Sequence, residues 1–205
     1  MLEMKQCCQV PFPEKLFEGY EIKENAIYAN VNTSKVLGLM MRFVLEHAKD
    51  PLFFVLEIPT KAPEGEAGKE IHHDLGDDVY FIDGLNAEQA AQCLEALGSF
   101  LIKDGLNTFG FGDHENGEEI LFGRYNLLTM YGSNPEAFRA MFSDFDIPHT
   151  EALLTAWDTF DREHPGTCKM YVSEKTGKTI YDIPADYKEY GMYFYEQRGG
   201  AAKED

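Results

Sequence analysis

The densest group of residues able to do chemistry lies at 110–119, where glycines are interspersed with ionisable side chains. Five ionisable side chains share this segment: Asp113, His114, Glu115, Glu118 and Glu119. An imidazole beside carboxylates can act as an acid, a base or a metal ligand. Asn116-Gly117 is also a strong hairpin-turn signal, and turn chemistry alone accounts for most of these residues. The segment is therefore predicted to be a hairpin tip, and it is the first place to look for a site.

A second group of candidate ligands is His72-His73-Asp74, followed by Asp77 and Asp78. A loop can fold imidazole and carboxylate groups around a cation. Adjacent side chains rarely point at one ion, however, so a solvated acidic loop is favoured, and we expect no metal and no other cofactor. If a metal were bound, its ligands would come from one set: His72, His73, Asp74, Asp113 and His114.

Aromatic side chains crowd the C-terminal segment: Tyr187, Tyr190, Tyr193, Phe194 and Tyr195. Tyrosine is frequent in protein interfaces, because its ring is large and rigid and its hydroxyl is polar. Packing against a sheet with the hydroxyl in water explains the same residues equally simply, and is favoured. Trp157 has apolar neighbours at helical spacing and is predicted to lie in the core.

Motifs of known catalytic families are not found in the sequence. Thr176-Gly177-Lys178-Thr179 ends like a phosphate-binding loop, but that loop needs a glycine five residues before Gly177, where Val172 stands. Gly110-Phe111-Gly112 is followed by a predicted hairpin, whereas a dinucleotide-binding fingerprint requires a helix. Whether the protein is an enzyme stays open, and a non-catalytic role is favoured.

The elements that must position these residues follow from the apolar spacing. Helices are predicted over 33–49, 86–103, 134–147 and 150–160. Strands are predicted within 20–31 and over 52–58, 79–82, 108–112, 119–122, 125–131, 168–172 and 178–181, with a long loop over 59–77. Two β-hairpins are expected, one around Asn116-Gly117 and one around Lys175-Thr176-Gly177. The fold class is α+β, a mixed or mainly antiparallel sheet with three to four helices packed on it. Residues 1–198 are expected to form one domain, with a frayed tail over 199–205.

The charge is strongly negative and unevenly distributed. The chain has 36 acidic and 18 basic residues, a net charge of −18, and residues 61–163 hold 21 of the acids but only 6 of the bases. Nucleic acids and anionic membrane surfaces are disfavoured as partners because their phosphates would be repelled. A basic protein partner or a cation is favoured. The alternative is that the acidity serves solubility alone.

Hydropathy and cysteine usage bear on the compartment. No apolar run is long enough to span a bilayer, and the N-terminal residues do not resemble a signal peptide. Four scattered cysteines, Cys7, Cys8, Cys93 and Cys168, do not make a disulfide framework in a chain of this length. They are interpreted as reduced thiols, and a cytoplasmic location is predicted.

A small acidic α+β protein without a catalytic motif is similar to bacterial immunity proteins, which present acidic side chains to basic toxin enzymes. The resemblance implies a non-catalytic cytosolic protein that engages a basic partner through an acidic face. The expected partner-binding residues are Asp113, His114, Glu115, Glu118, Glu119, Asp77, Asp78 and Tyr193. Two alternatives stay open: a metal-assisted hydrolase built on the His/Asp/Glu clusters, and a domain that oligomerises through its tyrosine-rich tail. The oligomeric state is not predicted.

Overall fold

The computed structural model describes residues 1–61 and 76–199. Within them, ten strands follow one another: β1 (Cys8–Gln9), β2 (Gly19–Lys23), β3 (Ala26–Asn30), β4 (Leu52–Pro59), β5 (Asp77–Leu85), β6 (Thr108–Asp113), β7 (Glu119–Phe122), β8 (Leu127–Tyr131), β9 (Thr167–Cys168) and β10 (Tyr193–Arg198). Four α-helices are interspersed: α1 (Thr33–Arg42), α2 (Ala87–Leu101), α3 (Arg139–Asp144) and α4 (Ile183–Asp186).

Eight of these strands form one antiparallel sheet in the order β10-β5-β4-β6-β7-β8-β3-β2, while β1 pairs with β9 in a separate ribbon. The fold is therefore α+β with a mainly antiparallel sheet and four helices, which confirms the predicted class. β6 and β7 form the predicted hairpin around Asn116-Gly117.

Local sequence explains where the main helices form. α2 begins at Asn86, whose side chain accepts a hydrogen bond from the backbone N of Gln89, while the Gln89 side chain accepts one from the backbone N of Asn86, both at 2.9 Å. This reciprocal cap satisfies two backbone donors that the helix itself leaves unpaired. α1 continues into a π-helical turn at Phe43–His47. Val36 of α1 and Leu94 of α2 both lie in the main core, against one side of the sheet.

The two sides of the sheet differ, as alternation along β4 shows. Leu52, Phe54, Leu56 and Ile58 belong to the core beneath the helices. The intervening Phe53 and Val55 belong to a separate apolar cluster, whose other members also lie on strands. Since residues opposite each other in an antiparallel pair share a face, the register extends this division across the sheet. We call the side of Phe53, Val55, Glu57 and their cross-strand partners the open face.

Residues 150–160 depart from the predicted helix. Their apolar side chains have helical spacing, but Thr150 donates its backbone N–H to Tyr20 and Leu153 donates to the Glu21 carboxylate, at 2.8 and 3.1 Å. These bonds to β2 hold the backbone out of a helical conformation. Only a 3₁₀ turn forms, at Trp157–Thr159. Trp157 is 48% exposed, so its predicted place in the core is wrong.

The second predicted hairpin is not a pair of strands. A turn does close at 173–178, where the backbone N of Ser173 donates to the Lys178 carbonyl. Thr167–Cys168 pairs with β1 instead, and Ile180–Asp182 is a 3₁₀ turn that starts with a capping box at Thr179. Other short connections in the sheet join β2 to β3, where Glu24 adopts a positive φ of 53°, and β7 to β8 through residues 123–126.

The cysteines also depart from the prediction of four reduced thiols. Pairing of β1 with β9 places Cys8 opposite Cys168, and a disulfide joins them across 160 residues of sequence. Cys7 and Cys93 are free. A disulfide is typical of an oxidising compartment, so this bond opposes the predicted cytoplasmic location. Among the described residues, no helix combines the length and apolar character that a membrane crossing requires.

Candidate functional site

The open face carries side chains of two kinds that core packing does not require. Within the described residues, no α-helix packs on it: the core beneath α1, α2 and α3 lies on the other side of the sheet. Six carboxylates of the described residues lie on this face: Glu21, Glu57, Asp77, Asp83, Glu119 and Glu196. Three basic side chains accompany them: Lys23, Arg124 and Arg198. The described part of the face therefore carries a net negative charge.

Aromatic side chains occupy the corner of the open face where the β6–β7 hairpin tip meets the edge strand β10. The Phe53 ring lies 5.3 Å from that of Phe81 and 4.7 Å from that of His114. Phe81 in turn meets Tyr195 edge-on at 5.2 Å. We call this group, together with Tyr193, the aromatic corner. Tyr193 and Tyr195 are both exposed, so the corner presents aromatic surface to solvent.

Glycines make room for this packing. A Cβ at Gly112 would lie 2.4 Å from the Phe53 ring and 2.8 Å from the carbonyl oxygen of Glu118. At Gly110 it would lie 1.9 Å from the carbonyl oxygen of Ile120. The glycines of the 110–112 segment therefore serve close approach between neighbouring strands.

Asp83 joins the hairpin tip to β10. One carboxylate oxygen lies 3.2 Å from Nε2 of His114, and the other accepts the hydroxyl of Tyr193. That hydrogen bond raises the pKa of Tyr193 to about 12, because it favours the neutral phenol beside a negative charge. All three residues are exposed, and the Asp83 carboxylate contacts both of the others. Its evident effect is to hold two elements together at the surface.

Ion pairs line the opposite end of the open face. Arg124 donates to Asp77 at 2.8 Å, and Arg198 donates to Glu57 at 2.7 Å. Burial raises the pKa of Glu57. Burial likewise raises the pKa of Glu119, and the nearby charge of Glu57 raises it further. These carboxylates therefore form a partly desolvated negative region.

Two neighbouring clefts meet at Trp157. One, of about 260 Å³, is bordered by Glu57, Asp77 and Thr108. The other, of about 750 Å³, is bordered by Glu24, Asp158 and further residues of β2 and β3. Leu127 and Trp157 line both clefts, which we together call the Trp157 groove.

The structure separates the residues predicted to bind a partner. Four of them lie on the open face: Asp77, His114, Glu119 and Tyr193. Asp113 is buried and closes the hairpin turn, accepting the backbone N of Asn116 at 2.5 Å. The Asp113 carboxylate therefore faces the turn and is not part of the protein surface in this structure.

The remaining predicted residues lie elsewhere. Glu115 is exposed at the hairpin tip, and Glu118 is half-buried, where burial and the charge of Asp113 raise its pKa. Asp78 accepts the hydroxyl of Thr60 at 2.6 Å.

The candidate metal ligands are divided between described and undescribed parts of the chain. His72, His73 and Asp74 lie outside the described residues. Among residues 1–61 and 76–199, no group of three histidine, cysteine or acidic side chains is placed to hold a metal ion.

Sequence reasoning missed Glu57 and Asp83, placed Trp157 in the core, and named Tyr195 only as part of the tyrosine-rich C-terminal segment. Glu57 interrupts an apolar run, which is a signal that one side of the strand meets water. Asp83 and Tyr195 gain their importance from the pairing of β5 with β10, which local patterns do not reveal. Trp157 was predicted to lie in the core because its apolar neighbours have helical spacing.

Comparison with known proteins does not assign this arrangement. No protein-family model matches the chain, and neither a curated protein nor a solved structure matches it at a significant level.

Proposed function

We propose that this chain is a non-catalytic binding protein whose open face receives a basic protein partner. The observation that carries the proposal is the shared position of the carboxylates and the exposed aromatic rings. Asp83, Glu57 and Glu119 lie on the same face as Tyr193 and Tyr195, without a helix over them in the described part of the chain.

The two kinds of side chain contribute differently to binding. Exposed tyrosines are suited to anchor a partner, because their rings bury a large area at little entropic cost. Carboxylates at the rim attract a basic protein over a distance and raise its association rate, an effect that salt weakens. An acidic inhibitor of a basic enzyme, as in the immunity-protein class, is the setting that this combination suits.

The first partner to test is the product of the reading frame next to this gene. Asp83→Asn with Glu196→Gln removes two charges from the open face, and Glu88→Gln with Glu95→Gln removes two from the exposed side of α2. Calorimetric titration is expected to show about a tenfold loss of affinity for the open-face variant and less than about a twofold loss for the control. A non-basic partner, or equal losses in both variants, would contradict the proposal.

A cytoplasmic location is part of this proposal, and the Cys8–Cys168 disulfide is the observation that opposes it. Alkylation of free thiols at the moment of cell lysis, followed by intact-mass measurement, tests it directly. Modification of all four cysteines agrees with a reducing compartment, whereas modification of Cys7 and Cys93 alone places the protein in an oxidising one.

Self-association through the C-terminal strand is a second candidate. β10 is an edge strand, and Tyr193, Phe194 and Tyr195 are all exposed on it. An exposed strand edge can pair with another chain. Light scattering over a wide range of concentrations tests this, since a constant monomer mass excludes it.

A further inference from the structure

We infer that the Trp157 groove binds an arginine side chain of the basic partner. The inference rests on the function proposed above and names the chemical group that this part of the open face recognises. Trp157 is the sole tryptophan of the chain, and nearly half of it is exposed between two acidic clefts.

The indole is held in position by the protein itself. Its ring meets Tyr125 edge-on at 4.8 Å with an interplanar angle of 87°, and Phe160 at 5.6 Å. Tyr125 is buried, so this contact anchors one side of the indole against the interior. A ring already fixed in place loses little freedom when a ligand stacks on it.

The charge of the groove selects a cation. Five carboxylates line the two clefts: Glu21, Glu24, Glu57, Asp77 and Asp158. Lys23 and Arg124 are the basic residues among the lining, paired with Glu21 and Asp77 respectively at 2.8 Å. Within the described residues, neither Glu24 nor Asp158 forms an ion pair, although the charge of Lys23, which is paired with Glu21, also acts on Asp158. The lining therefore keeps an excess of negative charge beside the indole.

Asp158 is also preoriented. Its carboxylate accepts the backbone N and the hydroxyl of Thr155, at 2.8 and 2.6 Å. These bonds lower its pKa, because they favour the ionised carboxylate. A guanidinium can donate hydrogen bonds from its edge to the fixed carboxylate while its flat face stacks on the fixed indole.

Arginine fits this groove better than other occupants. A guanidinium is planar and weakly hydrated, so it stacks on an indole, whereas the ammonium of lysine is compact and strongly hydrated. A second copy of this chain would bring another net charge of −18 and be repelled. An apolar segment would bury Glu24 and Asp158 without a counter-charge.

The test uses two capped synthetic peptides, four Gly-Arg repeats and four Gly-Lys repeats, titrated into the full chain. The fluorescence of Trp157 is expected to change saturably with the arginine peptide, which should bind about fivefold more tightly than the lysine peptide. Anisotropy of labelled peptides then compares variants. Trp157→Leu should abolish the preference for arginine. Glu24→Gln with Asp158→Asn should weaken both peptides, while the charge-matched Glu88→Gln with Glu95→Gln should leave both nearly unchanged.

The outcomes separate this inference from the proposed function. Equal affinity for the two peptides with no change in tryptophan fluorescence overturns the arginine site. The proposed function still stands in that case if the open-face variant Asp83→Asn with Glu196→Gln weakens the natural partner. No salt-sensitive binding of any basic partner overturns both. Trp157→Phe, which keeps an aromatic ring, should retain part of the preference for arginine and so distinguishes a lost stack from a misfolded loop.

Discussion

Asp83 on β5 accepts the phenolic hydrogen of Tyr193 on the neighbouring β10, and the same carboxylate lies beside His114 of the β6–β7 hairpin. Asp83 and Tyr193 are 110 positions apart in sequence and meet only because the C-terminal strand pairs with β5 at the edge of the sheet. The bond thus ties the edge strand to the face on which partner binding is proposed.

The first prediction concerns the ionisation of Tyr193. Its pKa of about 12 depends first on the hydrogen bond to Asp83. In Asp83→Asn the neighbouring charge is gone, so the pKa of Tyr193 should fall toward that of an ordinary tyrosine. Carbon-13 NMR of labelled tyrosine rings, assigned with Tyr193→Phe, measures it. An unchanged pKa would show that the bond does not form in solution.

The second prediction concerns the buried Lys5. Burial lowers its pKa from 10.5 to about 7, against a smaller raising effect of Asp104. Between these pH values the unfolded chain holds a proton that the folded chain lacks, so the free energy of unfolding should rise with pH, by up to about 1.4 kcal/mol per pH unit from this group. Below about pH 7 both states are protonated, and this contribution to the slope disappears.

Denaturant unfolding of Lys5→Met across this pH range provides the test of that slope. The variant should lack the part of the slope that Lys5 supplies, and the exposed Lys188→Met should keep it. If Lys5→Met and the parent protein have parallel profiles, Lys5 is not buried as a titrating group.

The third prediction concerns the disulfide. Cys8 and Cys168 close a loop of 160 residues, so the bond restricts the unfolded chain strongly. Cys8→Ser with Cys168→Ser should lower the free energy of unfolding by roughly 2–5 kcal/mol. Hydrogen exchange should quicken most in β1 and β9, while Cys7→Ser, which leaves the disulfide intact, serves as the control.

The fourth prediction concerns the close approach of β6 and β7. Alanine at position 110 would place its Cβ 1.9 Å from the backbone oxygen of Ile120, so the strands must separate. Gly110→Ala should destabilise the fold by about 3 kcal/mol. Gly123→Ala, whose nearest neighbour is a threonine side chain at 3.2 Å, should cost much less in the same denaturant titration. Equal losses would contradict the packing described here.

Local signals were sufficient for several elements of the fold. The Asn86 cap, the apolar run of β4 and the Asn116-Gly117 turn each act over a few residues, and each element forms as predicted. Local signals failed for residues 150–160, where a helix was predicted. The backbone there bonds to β2, more than a hundred residues away in sequence.

The candidate site was harder to predict than the fold. Its members lie on strands whose neighbours are distant in sequence, so strand order and register decide which side chains share a face. Glu57 and Asp83 share the open face because β4 pairs with β5. Tyr193 lies on the same face because β10 pairs with β5. Asp113 was predicted to bind a partner because of its charge, but its side chain is buried in the hairpin turn.

The position of β10 has a consequence for synthesis. This strand follows every other described strand along the chain, yet it forms the border of the sheet beside β5. During synthesis the central strands of the sheet are therefore completed before Tyr193 and Tyr195 are added. Five of the six carboxylates of the open face are thus made before Tyr193 and Tyr195, and the whole face on which partner binding is proposed exists only after translation has passed β10.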